Sequence, residues 1–296
     1  MSTNRGRSRV APRFGGGGSP TRLVVWFFGL AYLISWVWLI PLALSGAVAR
    51  QGRGWPTHLP ALMGPMLAAL IVTAVAYGPA GLRDLGRRMI RWRVGWRWWL
   101  VAVSPILMLP IAILLGRIAG VSVPTAHDFT LFTGVWSGLG VFGVLAVLIV
   151  AGFGEETGWR GFAVPHLERT LSPLRTALVV APLWALWHLP QFFIVANFRT
   201  FTVPMVIGWF FGLICGSIVL TWLYDGSGGS ILVVAVWHGL YNLVAGTAAA
   251  HGTLGVLVTV LVMIQALVLV VHYRRQQRPH PSAGMGATNP GVPGIA

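Results

Sequence analysis

Eight near-continuous apolar stretches divide the chain, at residues 23–48, 59–77, 98–119, 133–153, 174–196, 203–224, 229–247 and 253–273. Each is about 20 residues long, the length an α-helix needs to cross the hydrocarbon of a bilayer. They are too long and too many for a globular core. The pattern predicts an all-α, polytopic transmembrane helix bundle of about eight spans. The first run is too long for a signal-peptide core and lacks a clear cleavage site, which makes it a retained helix. The chain then divides into a disordered basic tail (1–20), N-terminal transmembrane helices with a basic, aromatic loop (21–125), a second helical region (126–275) and a disordered, Pro/Gly-rich C-terminal tail (276–296).

Composition agrees. Only 9% of the 296 residues are charged, against about 25% in soluble domains. The net charge is +15 and all 21 basic residues are arginine. These arginines lie in short loops and tails between the apolar runs, which is a topology signal rather than a nucleic-acid footprint. With eight spans both ends share a side. That side collects the arginines of the N-terminal tail, of residues 83–97, of Arg160, Arg169 and Arg175, and of residues 274–278. The opposite side gets Arg50, Arg53, Arg117 and Arg199. The expectation is a multi-pass plasma-membrane protein with both termini cytoplasmic. Residues 81–99 mix arginine with four tryptophans and read as an interfacial anchor. Gly208, Gly212 and Gly216 share one helix face and read as a place for close helix approach. The single cysteine, Cys215, excludes a disulfide within the chain and a cysteine-based metal site.

Polar residues at membrane depth are where chemistry is sought. Of six acidic residues, Asp84, Asp128, Glu168 and Asp225 fall in loops or at span ends, where solvation accounts for them. Glu155 and Glu156 do not fit that account. Glu156 and Arg160 are four apart on a helix and pair. Glu155 has no partner in its own turn, and a carboxylate beside another in a low-dielectric site suits general-base work. His188 and His238 sit inside apolar runs. Trp184 shares a face with His188, and Asn242 shares one with His238. An asparagine deep in an apolar helix needs a partner, and one shared site meets that need. There is no H-E-x-x-H, G-x-S-x-G or Walker A motif, and no lysine to activate a serine. Water activated by Glu155 is the expected nucleophile.

Three blocks, Glu155-Glu156-x-x-x-Arg160, Trp184-x-x-x-His188 and His238-x-x-x-Asn242, resemble the CPBP family of membrane proteins. That family includes type II CAAX prenyl endopeptidases and bacteriocin-processing or self-immunity proteins. The resemblance covers roughly residues 130–250, and Trp184 stands where phenylalanine is commoner. It implies an intramembrane endopeptidase acting on a membrane-embedded protein or peptide, with no nucleic-acid partner. Glu155 would activate water with help from His188. His238 and Asn242 would polarise the scissile carbonyl, while Glu156, Arg160 and Trp184 support the site. A divalent metal such as zinc on Glu155, His188 and His238 is one alternative and a metal-independent mechanism the other. A non-catalytic scaffold or immunity protein and a proton-coupled transporter are the competing functions. Substrate access is expected from the cytoplasmic side.

Overall fold

A computed structural model describes residues 19–250 and 252–277. Apart from Ser19, Pro20 and the helical residues 276–277, both tail readings lie outside the described residues. All eight apolar runs fold as helix. They form α1 (Pro20–Leu44), α2 (Gly64–Met89, entered through the 3-10 turn Leu59–Met63), α3 (Trp96–Ala102) and α4 (Ser104–Ile118). There follow α5 (Gly140–Gly158), α6 (Val164–Leu167), α7 (Pro173–Trp187), α8 (Gln191–Ile194), α9 (Val203–Gly226), α10 (Ile231–Ala245) and α11 (Thr253–Gln277). Among the described residues there is no strand, only three isolated bridges between loops.

Six helical stretches are long and apolar enough to cross a membrane, and α3 with α4 makes a seventh across a 45° bend. The eighth run is α10, whose 15 residues reach only about 22 Å, short of the roughly 30 Å of hydrocarbon. The bundle is a polytopic helical one, with the eight runs resolving into six full spans, a bent pair and a short helix. Its outer faces carry large apolar side chains such as Trp26, Leu33, Ile71, Leu114, Phe142, Phe211 and Leu267, as lipid contact requires.

The loops gather at two ends. At one, the backbone of Ala49 exchanges hydrogen bonds with Ile194 and Ala196, Arg50 and Gly52 bond Gly134 and Phe132, and Ala248 N–H donates to Leu131 O. At the other, Arg91 donates to Gly228 O and its own carbonyl accepts from Ser230. The helical stretches alternate between these ends.

Two boundaries differ from expectation. Residues 81–89, read as part of an interfacial anchor, are helical and continue from the second span. The second span turns at Gly78, whose φ of +61° suits glycine alone, and continues as helix through Met89. Arg88 is thereby drawn inside, where it donates to Gly161 O at 2.6 Å and to Tyr224 Oη at 2.8 Å. The fourth run does not stop before Glu155 either. Helix continues through both glutamates, widens into a π-turn at Trp159–Ala163 and reaches Leu167. A π-turn frees a carbonyl from the regular ladder, and Arg88 bonds one of this segment.

Helix α5 is central. An added Cβ on Gly152 would stand 2.6 Å from Ala235 O, on Gly154 2.5 Å from Leu62 O, and on Gly158 2.6 Å from Pro65 Cβ. These three glycines let α10 and the start of the second span close on α5 at the level of the glutamates.

Candidate active site

The three motif blocks converge. Glu155 and Glu156 on α5 are buried, and Arg160 is fully enclosed. Glu156 Oε1 accepts from Arg160 Nη1 at 2.9 Å and lies 2.7 Å from His238 Nδ1. The expected Glu156–Arg160 pair is present, and His238, 82 residues away, joins it. The Arg160 guanidinium also lies over the Trp184 ring, 4.7 Å from its centroid. An unpaired ion in this medium would be costly, which is why carboxylate, guanidinium and imidazole stack into one cluster.

Glu155 is held differently. Its Oε2 accepts from Trp184 Nε1 at 2.7 Å and, more weakly, from Trp159 Nε1 at 3.4 Å. Trp184 therefore bonds the carboxylate as well as sharing a face with His188. Trp159, one turn beyond Glu155, was not singled out in the sequence, although its i+4 spacing offered a signal. Oε1 makes no hydrogen bond among the described residues.

His188 ends α7. Its Nδ1 lies 2.8 Å from Trp184 O, and a carbonyl can only accept, so Nδ1 carries the proton and Nε2 is the acceptor of the neutral ring. In His238 the Glu156 carboxylate likewise takes Nδ1–H, leaving Nε2 for other chemistry. The Asn242 side chain makes no hydrogen bond among the described residues.

Glu155, Trp184, His188, His238 and Asn242 all line one cavity of about 790 Å³, a size that suits a drug-sized or peptide ligand. Its walls extend to Phe132, Thr133, Val195, Asn197, Phe198, Thr200 and Phe201, the loop end opposite the Arg91–Gly228 contacts. They also run between α9 and α11, at Gly208, Gly212, Gly216, Thr259 and Met263. Two expectations change. The cavity extends toward the loops at 49–58, 128–137 and 195–202, not toward the end expected to be cytoplasmic. Of the three glycines, only Gly212 meets another helix closely, at Thr259; a Cβ on Gly208 or Gly216 would touch nothing within 4 Å. These glycines leave room in the cavity rather than seating a helix.

Metal fit is poor. Among the described residues no group of three or more His, Cys, Asp or Glu side chains converges to hold an ion, so Glu155, His188 and His238 do not form a three-ligand set in this arrangement. His58, between the first two apolar runs, is buried and also lines the cavity, as does Gln191.

Residues 136–244 match the family model described as type II CAAX prenyl endopeptidase Rce1-like. The resemblance carried by the three blocks is thus borne out, over nearly the stretch from which it was read. The chain is also similar to CAAX prenyl protease 2 of Methanococcus maripaludis, at 24% identity over 227 residues, which cover 73% of this chain and 82% of the relative. All three blocks fall inside the matched region.

Proposed function

We propose that this protein is an intramembrane endopeptidase that hydrolyses a peptide bond by glutamate-activated water. The observation that carries this reading is the convergence of Glu155, His188, His238 and Asn242 on one cavity, inside a region similar to CAAX prenyl endopeptidases.

The hydrogen bonds support the following roles. Two indoles fix Glu155 Oε2, so Oε1 orients a water molecule and takes its proton as the oxygen attacks the scissile carbonyl carbon. His238, anchored through Nδ1 on Glu156, donates Nε2–H from its doubly protonated form to the developing oxyanion. Asn242 supplies a second N–H. The tetrahedral intermediate collapses with cleavage of the C–N bond. The proton passes from Glu155 to the leaving nitrogen, with the acceptor nitrogen of His188 close to its path. Glu156 and Arg160, which do not line the cavity, position these groups from behind, and Trp184 in the cavity wall holds Glu155 through its indole N–H. No step here is routed through a metal. A membrane-associated protein or peptide, lipid-modified in the manner the relative's name indicates, is the substrate class proposed. Membrane orientation with both termini cytoplasmic is proposed on the arginine distribution.

The test is a comparison of the membrane proteomes of cells carrying wild-type protein or Glu155→Gln at equal levels. The expected result is a full-length membrane protein that accumulates, with loss of its shortened form, only in the variant. Identical proteomes would argue for a non-catalytic role. Cleavage by the purified protein that survives a strong chelator supports the water–glutamate reading; loss that only added zinc restores would overturn it.

A further inference from the structure

A strongly basic surface lies at the loop end that carries the Arg91–Gly228 contact, where α2 passes into α3. Arg83, Arg87, Arg91, Arg93 and Arg97 are all exposed there. Among the described residues none of the five pairs with a carboxylate. Asp84, the one acid of residues 81–99, accepts from Arg88 Nε at 2.9 Å. Glu168, at the end of α6, is hydrogen-bonded to Asp225. Arg83 and Arg91 each give an N–H to a carbonyl, of Pro79 and Gly228. Arg87, Arg93 and Arg97 donate to no protein acceptor among the described residues. Apolar side chains alternate with these arginines: Ile90, Trp92 and Trp96 are 72, 62 and 75% exposed. Arg93 lies over the Trp92 ring and Arg97 over Trp98, each 5.1 Å from the centroid. The segment is fixed to the bundle. Ser230 Oγ donates to Arg91 O at 2.6 Å, Trp99 Nε1 donates to Trp92 O at 3.2 Å, and the Trp98 ring meets Trp222 edge-on at 4.9 Å.

Two needs stand side by side on this surface. Exposed indole and aliphatic faces gain from contact with hydrocarbon. Guanidiniums without a carboxylate gain from a phosphate, which each can grip with two N–H donors. The second span ends here and the bent α3–α4 pair begins, so in a bilayer the segment sits where hydrocarbon gives way to headgroups, the layer that tryptophan favours. An acidic protein or a nucleic acid would satisfy the arginines and leave the tryptophans in water. A lipid with an anionic headgroup meets both needs with one molecule, and clusters of basic residues beside a span are the usual seat of such lipids. We propose that Arg87, Arg93 and Arg97, with Trp92 and Trp96 alongside, bind the phosphate headgroup of an anionic phospholipid. The surface has a direct link inward. Arg88, next to Arg87, reaches Gly161 O beside Arg160, so a lipid held here braces the helix on which the glutamate cluster rests. This inference is independent of the endopeptidase reading.

The test uses the full chain in detergent micelles, titrated with phosphatidylglycerol or phosphatidylcholine of the same acyl chains, with bound lipid counted by native mass spectrometry. In the wild type the Kd for phosphatidylglycerol should be at least about 10-fold the lower, since each arginine beside an anionic headgroup is worth about fivefold. Arg87→Gln/Arg93→Gln/Arg97→Gln should bring the two lipids to within about threefold of each other. Arg22→Gln/Arg175→Gln/Arg274→Gln removes three exposed arginines of the same end and should change the ratio less than about twofold. In nanodiscs, exchanging phosphatidylcholine for phosphatidylglycerol should raise the wild-type melting temperature by about 2–4 °C and leave the Arg87/Arg93/Arg97 variant unmoved. Equal affinity of the wild type for the two lipids would overturn the proposal. So would a preference that survives in the Arg87/Arg93/Arg97 variant, which would put the lipid elsewhere. An equal loss in the Arg22/Arg175/Arg274 variant would overturn it too, because the attraction would then belong to the whole basic end. Displacement of the lipid by equimolar glycerol 3-phosphate would make the ligand a soluble phosphate and would likewise overturn it.

Discussion

In the proposed mechanism Glu156 serves structure and its neighbour Glu155 serves chemistry. Glu156 Oε1 holds both Arg160 and His238, and the whole cluster is enclosed. Removing one partner leaves a buried charge without compensation, at a cost of about 3–5 kcal/mol. Arg160→Met should therefore lower the thermal stability of the protein in nanodiscs sharply, and Glu156→Gln should disturb His238 more than Glu155. Thermal melts followed by tryptophan fluorescence check the first; a melting temperature within a degree or two of wild type would show that the cluster carries little. The sequence made the Glu156–Arg160 pair legible because i,i+4 spacing is local. It could not show His238 on the same oxygen, because that contact crosses 82 residues of chain. Nor could it show that His58 is buried, since the residue lies just outside an apolar run and is enclosed only when the loops fold over it.

At the level of elements, the glycines of α5 decide how closely the site's walls approach. Gly158→Ala would place a methyl 2.6 Å from Pro65 Cβ, an overpacking that costs about 1–3 kcal/mol and pushes the second span away from the glutamates. Gly208→Ala, with nothing within 4 Å of the new methyl, should leave stability level or slightly raised. Equal losses for both would contradict the packing account. Hydropathy located the eight long helical stretches but stopped two of them early, at residues 77 and 153, whereas helix runs on to Met89 and Leu167. Arg88 and the two glutamates lie beyond those apolar runs, yet each is buried against partners from other helices. A second carboxylate contact ties the end of α6 to the end of α9. Glu168 was expected to be solvated, but burial and the adjacent Asp225 push its carboxyl up to about 9. A group whose folded pKa is raised binds its proton more tightly in the folded state. Its contribution to stability is full below its ordinary value of 4.5 and is lost as the pH rises toward 9. Melting temperature should fall across that window in the wild type and fall less in Glu168→Gln, as a melt series in matched buffers will show.

For the whole molecule, eight helical stretches alternate between two loop ends, and one cavity runs from the buried glutamate toward one of those ends and between α9 and α11. The proposed substrate, partly lipid and partly peptide, would lie along this path. The helix-bundle class and the grouping of the motif blocks were legible in the order and periodicity of the residues. The cavity's direction was not, because it depends on how loops far apart in sequence lace together. The central claim is that Glu155 activates water against a peptide bond in this cavity. Its most direct test is cleavage of an S-prenylated CAAX peptide by purified protein in nanodiscs, with products identified by mass spectrometry. The account predicts one specific cleavage by the wild type and a loss of at least about 100-fold in kcat for Glu155→Gln at unchanged melting temperature. A Glu155→Gln protein that cleaves the same bond at the wild-type rate would contradict it.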